Sequence, residues 1–208
     1  MIDAALIPLQ QRLLNPLAQR LAKRGIGADQ ITLAGFGIGI LAVPALAAGL
    51  FGLALVFILL NRVADGLDGA VARLGTPTDR GAFLDITLDF LFYPLVPLGF
   101  ALADPAQNAL PAAVLITAFV GTGSSFLAFA AIAAQRGQTP QAYPTKGIYY
   151  LGGLTEGAET IAVLTAMCLL PGAFPVLALV FSAACAITTV TRWAQGWRVF
   201  GQNSDIDR

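Results

Sequence analysis

The sequence contains no histidine. That removes the imidazole, the commonest general base, and leaves a carboxylate as the leading side chain for any proton-abstracting step. Charge is scarce as well: 12% of the 208 residues are Asp, Glu, Lys or Arg, against roughly 25% in an ordinary soluble domain. With 57% apolar residues and a mean hydropathy of +0.75, the chain belongs in a bilayer. There are two cysteines, Cys168 and Cys185, each alone inside an apolar run; neither a disulfide framework nor a thiolate metal site fits that spacing, and both read as small packing residues. The stretch up to Arg24 lacks the apolar core and small-residue cleavage site of a signal peptide, so it is expected to be retained. No internal repeat or low-complexity tract is visible, and no nucleic-acid partner is expected.

What is present is a series of apolar segments. A membrane-crossing helix needs about 20 mainly apolar residues, so this length allows about six spans and no separate soluble domain. Leu6, Leu9, Leu13, Leu17 and Leu21 recur at three- and four-residue steps among Arg12, Arg20, Lys23 and Arg24, the pattern of an amphipathic helix lying in the headgroup plane. Residues 1–30 are therefore a juxtamembrane helix and turn, with Asp29 a candidate cap. Residues 31–200 are an all-α transmembrane domain with spans near 31–50, 52–73, 81–102, 109–134, 154–170 and 175–197, and 201–208 are a polar tail. Gly35, Gly37 and Gly39 in the first span would allow another helix to approach closely. A polar loop over 135–153 carries Pro140, Pro144, Tyr149 and Tyr150. With the amino terminus cytoplasmic, the loops after the first, third and fifth spans hold no Lys or Arg. The positive-inside rule then puts both termini on the cytoplasmic side of the inner membrane.

Between the second and third spans stand four aspartates: Asp65 and Asp68 on one, Asp85 and Asp89 on the other. A charged residue at the centre of a membrane helix costs roughly 2.5–3.5 kcal/mol on insertion scales, so each asks for a functional explanation. Gly75 and Pro77 supply the turn and Thr78 or Asp79 a cap. Counted from Pro77, the first pair lies 12 and 9 residues before it and the second 8 and 12 after. At about 1.5 Å per residue the two pairs reach matching heights in an antiparallel hairpin. Positions three and four apart share a face, so Asp65, Asp68, Gly69 and Ala72 line one stripe and Gly81, Asp85 and Asp89 another. Acidic walls with small residues between them suit a hard divalent cation such as Mg²⁺, and four carboxylates make a two-metal clamp on a phosphoryl group feasible. Arg73, one turn beyond Gly69, is placed to contact a phosphate or pyrophosphate.

Read as a pattern, Asp-x-x-Asp-Gly-x-x-Ala-Arg, a gap, and Gly-x-x-x-Asp-x-x-x-Asp resembles the signature of the CDP-alcohol phosphotransferases, with every fixed position present. The motif covers about an eighth of the chain, and the six-span layout with its interfacial helix agrees with that family. The resemblance implies that Asp65, Asp68, Asp85 and Asp89 bind divalent metal, Mg²⁺ or Mn²⁺, usually two ions, and that Asp89 is also the general base. It implies that Gly69, Ala72, Arg73 and Gly81 line the site for the cytidine diphosphate part, with Thr78 near the nucleotide. Ala28-Asp29-Gln30-Ile31-Thr32 is similar to the family's Pro-Asn-x-x-Thr, with departures at Ala28 and Asp29, which leaves the nucleotide contact of Asp29 open. The implied reaction is attack of an alcohol hydroxyl on the phosphorus of a CDP-activated lipid, CDP-diacylglycerol foremost, with release of CMP, in a homodimer.

The acceptor stays open. Arg136, Lys146 and Arg192 suit a phosphorylated alcohol, whereas Glu156 and Glu159 suit an amino alcohol or polyol; ion pairing among them at the membrane edge accounts for the same residues. Two rival readings are an intramembrane prenyltransferase and a carboxylate-based transporter. For the first, Asn61 and Asp65 begin an Asn-x-x-x-Asp-x-x-x-Asp pattern that Gly69 breaks; the second expects repeated halves and broken helices at the midplane. Asn61 and Arg62 receive no role beyond supporting Asp65.

Overall fold

The computed structural model describes residues 2–137 and 153–201. The loop segment that carries Pro140, Pro144, Lys146, Tyr149 and Tyr150 and the tail after Gly201 lie outside the described residues. Within them the fold is helical, with α1 Ile2–Lys23, α2 Ala28–Ile40, α3 Ala42–Ala47, α4 Phe51–Leu74, α5 Asp79–Ala103, α6 Pro105–Gln135, α7 Gly157–Leu169 and α8 Phe174–Gly201, and a 3₁₀ turn Pro171–Ala173 before the last. Four segments, Ala28–Ala47, Asp79–Ala103, Pro105–Gln135 and Pro171–Gly201, are long and apolar enough to cross a membrane.

The first of these is interrupted at Leu41, between α2 and α3. Pro44 has no N–H to give the Ile40 carbonyl four residues back, and the ladder breaks there. Both α1 and α3 end on a glycine in the left-handed region, Gly25 at φ 76° and Gly49 at φ 72°. In each case the next two amides close back on the helix: Gly25 N–H and Ile26 N–H on Ala22 and Leu21, Gly49 N–H and Leu50 N–H on Leu46 and Ala45. A residue with a Cβ is disfavoured at that position.

Helix α2 lies along α4, and α5 and α8 both pack on α6. The α2–α4 approach depends on Gly35 and Gly39, four apart on one face. A Cβ at Gly35 would collide with Ala64, and one at Gly39 would stand 2.9 Å from Asn61 and Phe92, whereas Gly37 faces open space. Of the three glycines expected to admit a neighbour, two do. The apolar core fills the end of the bundle away from the α4–α5 turn, where Phe92, Val96, Phe100, Leu46, Leu115, Leu164, Met167 and Phe174 are almost wholly buried. Phe100 is stacked between Phe51, at 5.7 Å, and Phe174, at 4.4 Å. A second, smaller cluster joins Ala18, with Leu14 and Leu21 against it, to Ile31, Leu67, Ala70 and Val71. One side of α1 is thus seated on α4, while Leu13 and Leu17 remain exposed.

Candidate active site

Helices α4 and α5 are joined by a turn at the expected place, and each packs more closely on α2 and α3 than on the other. Gly75 closes α4 with its N–H on the Ala72 carbonyl at 3.2 Å, and Thr78 Oγ1 accepts from Gly81 N–H at 3.1 Å, satisfying one of the amides left free at the start of α5. Asp79 follows in the first turn of α5 and Arg73 occupies the last turn of α4, the signs that suit the helix dipoles. Asp65 and Asp68 on α4 then face Asp85 and Asp89 on α5 across one small hollow, with Thr32, Gly35 and Phe36 of α2 closing its third side.

Oxygens of Asp65, Asp68 and Asp85 lie within 4.8 Å of one another. With metal–oxygen bonds of about 2.1 Å, opposite ligands of an octahedral ion stand about 4.2 Å apart, so small rotamer adjustments close these three on a single cation. Carboxylate donors of this kind suit Mg²⁺ or Mn²⁺. The residues present therefore fit the divalent metal implied by the motif. Asp68 is 5% exposed and is held by Thr32, whose hydroxyl donates to its Oδ2 at 2.5 Å. Asp89 is held differently: Arg62 Nη2 meets its Oδ1 at 2.7 Å, while Nη1 of the same guanidinium is 3.8 Å from Asp65 Oδ2.

The hollow opens into a broad cavity. Gly69, Ala72, Arg73, Thr78, Gly81 and Asp29, the residues expected near the nucleotide, are all among its lining. Arg73 folds back over Gly69, its Nη1 3.2 Å from where a Cβ would stand. Asp29 departs from the expected cap role. Gly27 is the residue that precedes α2, its N–H bonded to Gln30 Oε1 at 3.1 Å. The Asp29 carboxylate instead takes Arg80 Nε at 2.8 Å and Nη2 at 2.6 Å, an ion pair bridging the starts of α2 and α5.

The acceptor candidates divide. Glu156 and Arg192 line the cavity with Thr122, Thr155 and Thr160. Arg192 donates to the Thr122 carbonyl at 2.9 Å and lies over the Phe126 ring. Arg136 does not reach the cavity; it donates to the Phe200 carbonyl at 3.0 Å and covers that ring, tying the end of α6 to that of α8. Glu159 is used locally, accepting from Glu156 N–H at 3.1 Å in the first turn of α7. Lys146 lies outside the described residues.

Asn61 and Arg62, expected only to support Asp65, Thr32, known only from the likeness over residues 28–32, and Tyr93, which no motif includes, all have definite places here. Thr32 anchors Asp68, and Asn61, Arg62 and Tyr93 form one network: Arg62 donates to Asn61 Oδ1 through Nε and Nη2 and to the Tyr93 hydroxyl at 2.9 Å, and Asn61 Nδ2 donates to the Gly35 carbonyl at 3.1 Å. The Asn61 amide is thereby committed to groups of the protein.

Comparison with known proteins gives a consistent result. The chain is 54% identical to Inner membrane protein YnjF of Escherichia coli over 197 residues, covering 95% of this chain and 96% of that protein. It is 38% identical to an archaetidylinositol phosphate synthase of Methanothermobacter thermautotrophicus over 93 residues, 44% of this chain and 46% of that one. Among solved structures it is similar to Mycobacterium tuberculosis phosphatidylinositol phosphate synthase (PgsA1). The form with CDP-DAG bound matches at TM-score 0.67, 25% identity, 89% of this chain and 94% of that chain; the form with manganese and citrate at 0.69, 25%, 88% and 88%. The CDP-alcohol phosphatidyltransferase family model matches residues 26–194, and on that match and the carboxylate hairpin inside it, this chain belongs to the CDP-alcohol phosphatidyltransferase family, enzymes that transfer substituted phosphate groups.

Proposed function

We propose that the protein transfers the phosphatidyl group of CDP-diacylglycerol to the hydroxyl of an alcohol acceptor and releases CMP, as a step of phospholipid synthesis. The observation that carries this reading is the convergence of Asp65, Asp68 and Asp85 within 4.8 Å, at the base of a cavity walled by the proposed nucleotide residues. The CDP-DAG bound to the structurally similar PgsA1 supports the donor.

Asp65, Asp68, Asp85 and Asp89 hold the divalent ion or ions, Mg²⁺ or Mn²⁺. When bound, such an ion supplies positive charge to pyrophosphate oxygens and eases departure of CMP. The chain itself does the rest. Gly69 and Gly81 leave room for the nucleotide, and Arg73 offers its guanidinium to the phosphates. Thr78 and Asp29 border the nucleotide at the α5 and α2 starts. Asp89 takes the acceptor's proton as its oxygen attacks phosphorus. Glu156 and Arg192, on the cavity wall, contact the acceptor. Holding both substrates in line is the main contribution, since the two must meet in a water-excluded site.

In the membrane, α4 joins the four apolar segments as a span, its 24 residues reaching about 36 Å despite their charges, and α7 is a short sixth. Residues 31–200 form this catalytic domain, with both termini and the cavity cytoplasmic and α1 at the headgroups, Leu13 and Leu17 toward the lipid. Two copies associate as a homodimer, which cross-linking in detergent checks.

The test is purified protein with radiolabelled CDP-diacylglycerol, Mg²⁺ or Mn²⁺, and a panel of acceptors: glycerol phosphate, inositol phosphate, inositol, serine and a phospholipid headgroup. CMP release that requires an acceptor and vanishes in Asp89→Asn supports the proposal. Substrate movement across vesicles without CMP release rejects it.

A further inference from the structure

Arg62 is a full positive charge 9% exposed, three residues before the first metal-binding aspartate. Besides its ion pairs with Asp65 and Asp89, it has fixings of its own. Asn61 Oδ1 takes two of its N–H groups, the Tyr93 hydroxyl a third, and the guanidinium carbon lies 4.9 Å and 5.0 Å from the ring centres of Phe92 and Tyr93. Asn61 is in turn fixed to the α2 backbone through the Gly35 carbonyl. A cation held by three hydrogen bonds to neutral groups and by two neighbouring rings acts as a rigid part of the scaffold.

What it presents is one N–H aimed at Asp89. The bond uses Oδ1 at 2.7 Å and crosses from α4 to α5. A partner outside the ligand set that fixes a carboxylate's orientation is the usual means by which a metal site is tuned. Here the carboxylates receive different treatment: Asp65, Asp68 and Asp85 converge, Arg62 stands 3.8 Å from Asp65, and Asp89 alone takes a direct hydrogen bond from the guanidinium. The geometry points to Arg62 as a positioning residue for the transfer reaction, an internal cation that aims Asp89 at the acceptor through Oδ1 and is itself set by Asn61 and Tyr93. This rests on the phosphatidyl-transfer reading for what Asp89 does, though not for where Arg62 sits.

Two consequences oppose each other, and that separates the role from a merely structural one. Without the guanidinium Asp89 is misaimed, so turnover falls; yet the carboxylates lose a nearby positive charge, so they hold a divalent cation at least as well. In Arg62→Met, kcat should fall about 100-fold, within the usual range for a misplaced general base, with the KM for CDP-diacylglycerol changed by less than about threefold. Mn²⁺ added alone and followed by electron paramagnetic resonance should bind as tightly as in the wild type or up to about 10-fold more tightly. Tyr93→Phe keeps the ring and removes one bond to Arg62, and should lower kcat about fivefold with Mn²⁺ binding and melting temperature unchanged. The inference is overturned if Arg62→Met keeps kcat within about threefold, or if its Mn²⁺ affinity falls together with turnover. Should Arg62→Met fail to fold, Tyr93→Phe decides: turnover at the wild-type rate overturns the inference. If the wild type releases no CMP, the reaction assignment fails on its own, while the Mn²⁺ titrations still report whether Arg62 opposes or supports cation binding.

Discussion

Replacing Gly69 by alanine separates what this site needs from what the helix needs. Gly69 is interior to α4, where alanine is favoured over glycine by about 0.5–1 kcal/mol through lower backbone entropy in the unfolded chain. The new Cβ would stand 3.2 Å from Arg73 Nη1 and meet nothing else closer than the rest of that guanidinium, at 3.9 Å. The crowded atom is the far end of a flexible side chain, so it withdraws by a few tenths of an ångström at little energetic cost. Folding should then be unchanged or improved by up to about 1 kcal/mol. Binding should not. If Arg73 engages the donor's phosphates, weakening a charge-assisted bond worth about 1.5–3 kcal/mol lowers kcat/KM for CDP-diacylglycerol by roughly tenfold or more. The assay is CMP release against donor concentration in mixed micelles, with thermal unfolding and Mn²⁺ binding measured on the same protein. Gly35→Ala is the control: its Cβ would overlap Ala64 at the α2–α4 contact, so it should lose about 1–3 kcal/mol of stability. A Gly69→Ala protein with kcat/KM within about threefold of wild type would refute the placement of Arg73 on the phosphates.

Asp68→Asn and Asp85→Asn should each abolish CMP release and weaken Mn²⁺ binding while the protein stays folded, since removing a buried charge need not destabilise; spectroscopic folding and Mn²⁺ titration check this, and activity at normal metal affinity contradicts the ligand set. Arg136→Ala should lower the melting temperature without changing the KM for any acceptor, because its guanidinium serves the Phe200 carbonyl and ring; a rise in acceptor KM would return Arg136 to the binding site.

The carboxylate hairpin could be read from the sequence because helical spacing alone decides it. Asp65, Asp68, Asp85 and Asp89 fall at three- and four-residue steps about a defined turn, and a two-helix unit with a short connection admits one register. Tertiary neighbours are a different matter. Arg62 gains its partners from α5, as Tyr93 and Asp89, and its support from α2 through Asn61 and Gly35; no local pattern joins positions 35, 62 and 93. Arg136 and Glu159 were plausible acceptor contacts by charge and membrane depth, but each found a nearer backbone group, one on α8 and one in its own first turn. Likewise Asp29 had a cap's position and spacing, and the arrival of Arg80 from the start of α5 diverted it. The span expected over 31–50 is interrupted at Leu41 because of Pro44, and the fifth, expected over 154–170, is short because Glu156 and Pro171 bound 13 helical residues.

The stack of Phe51, Phe100 and Phe174 lies far from all of this chemistry: Phe51 and Asp68 are 17 residues apart on one helix, or about 25 Å along its axis. Such separation gives a lineage latitude. Residues beside the aspartates can be exchanged while the ring stack that helps hold the other end together stays as it is.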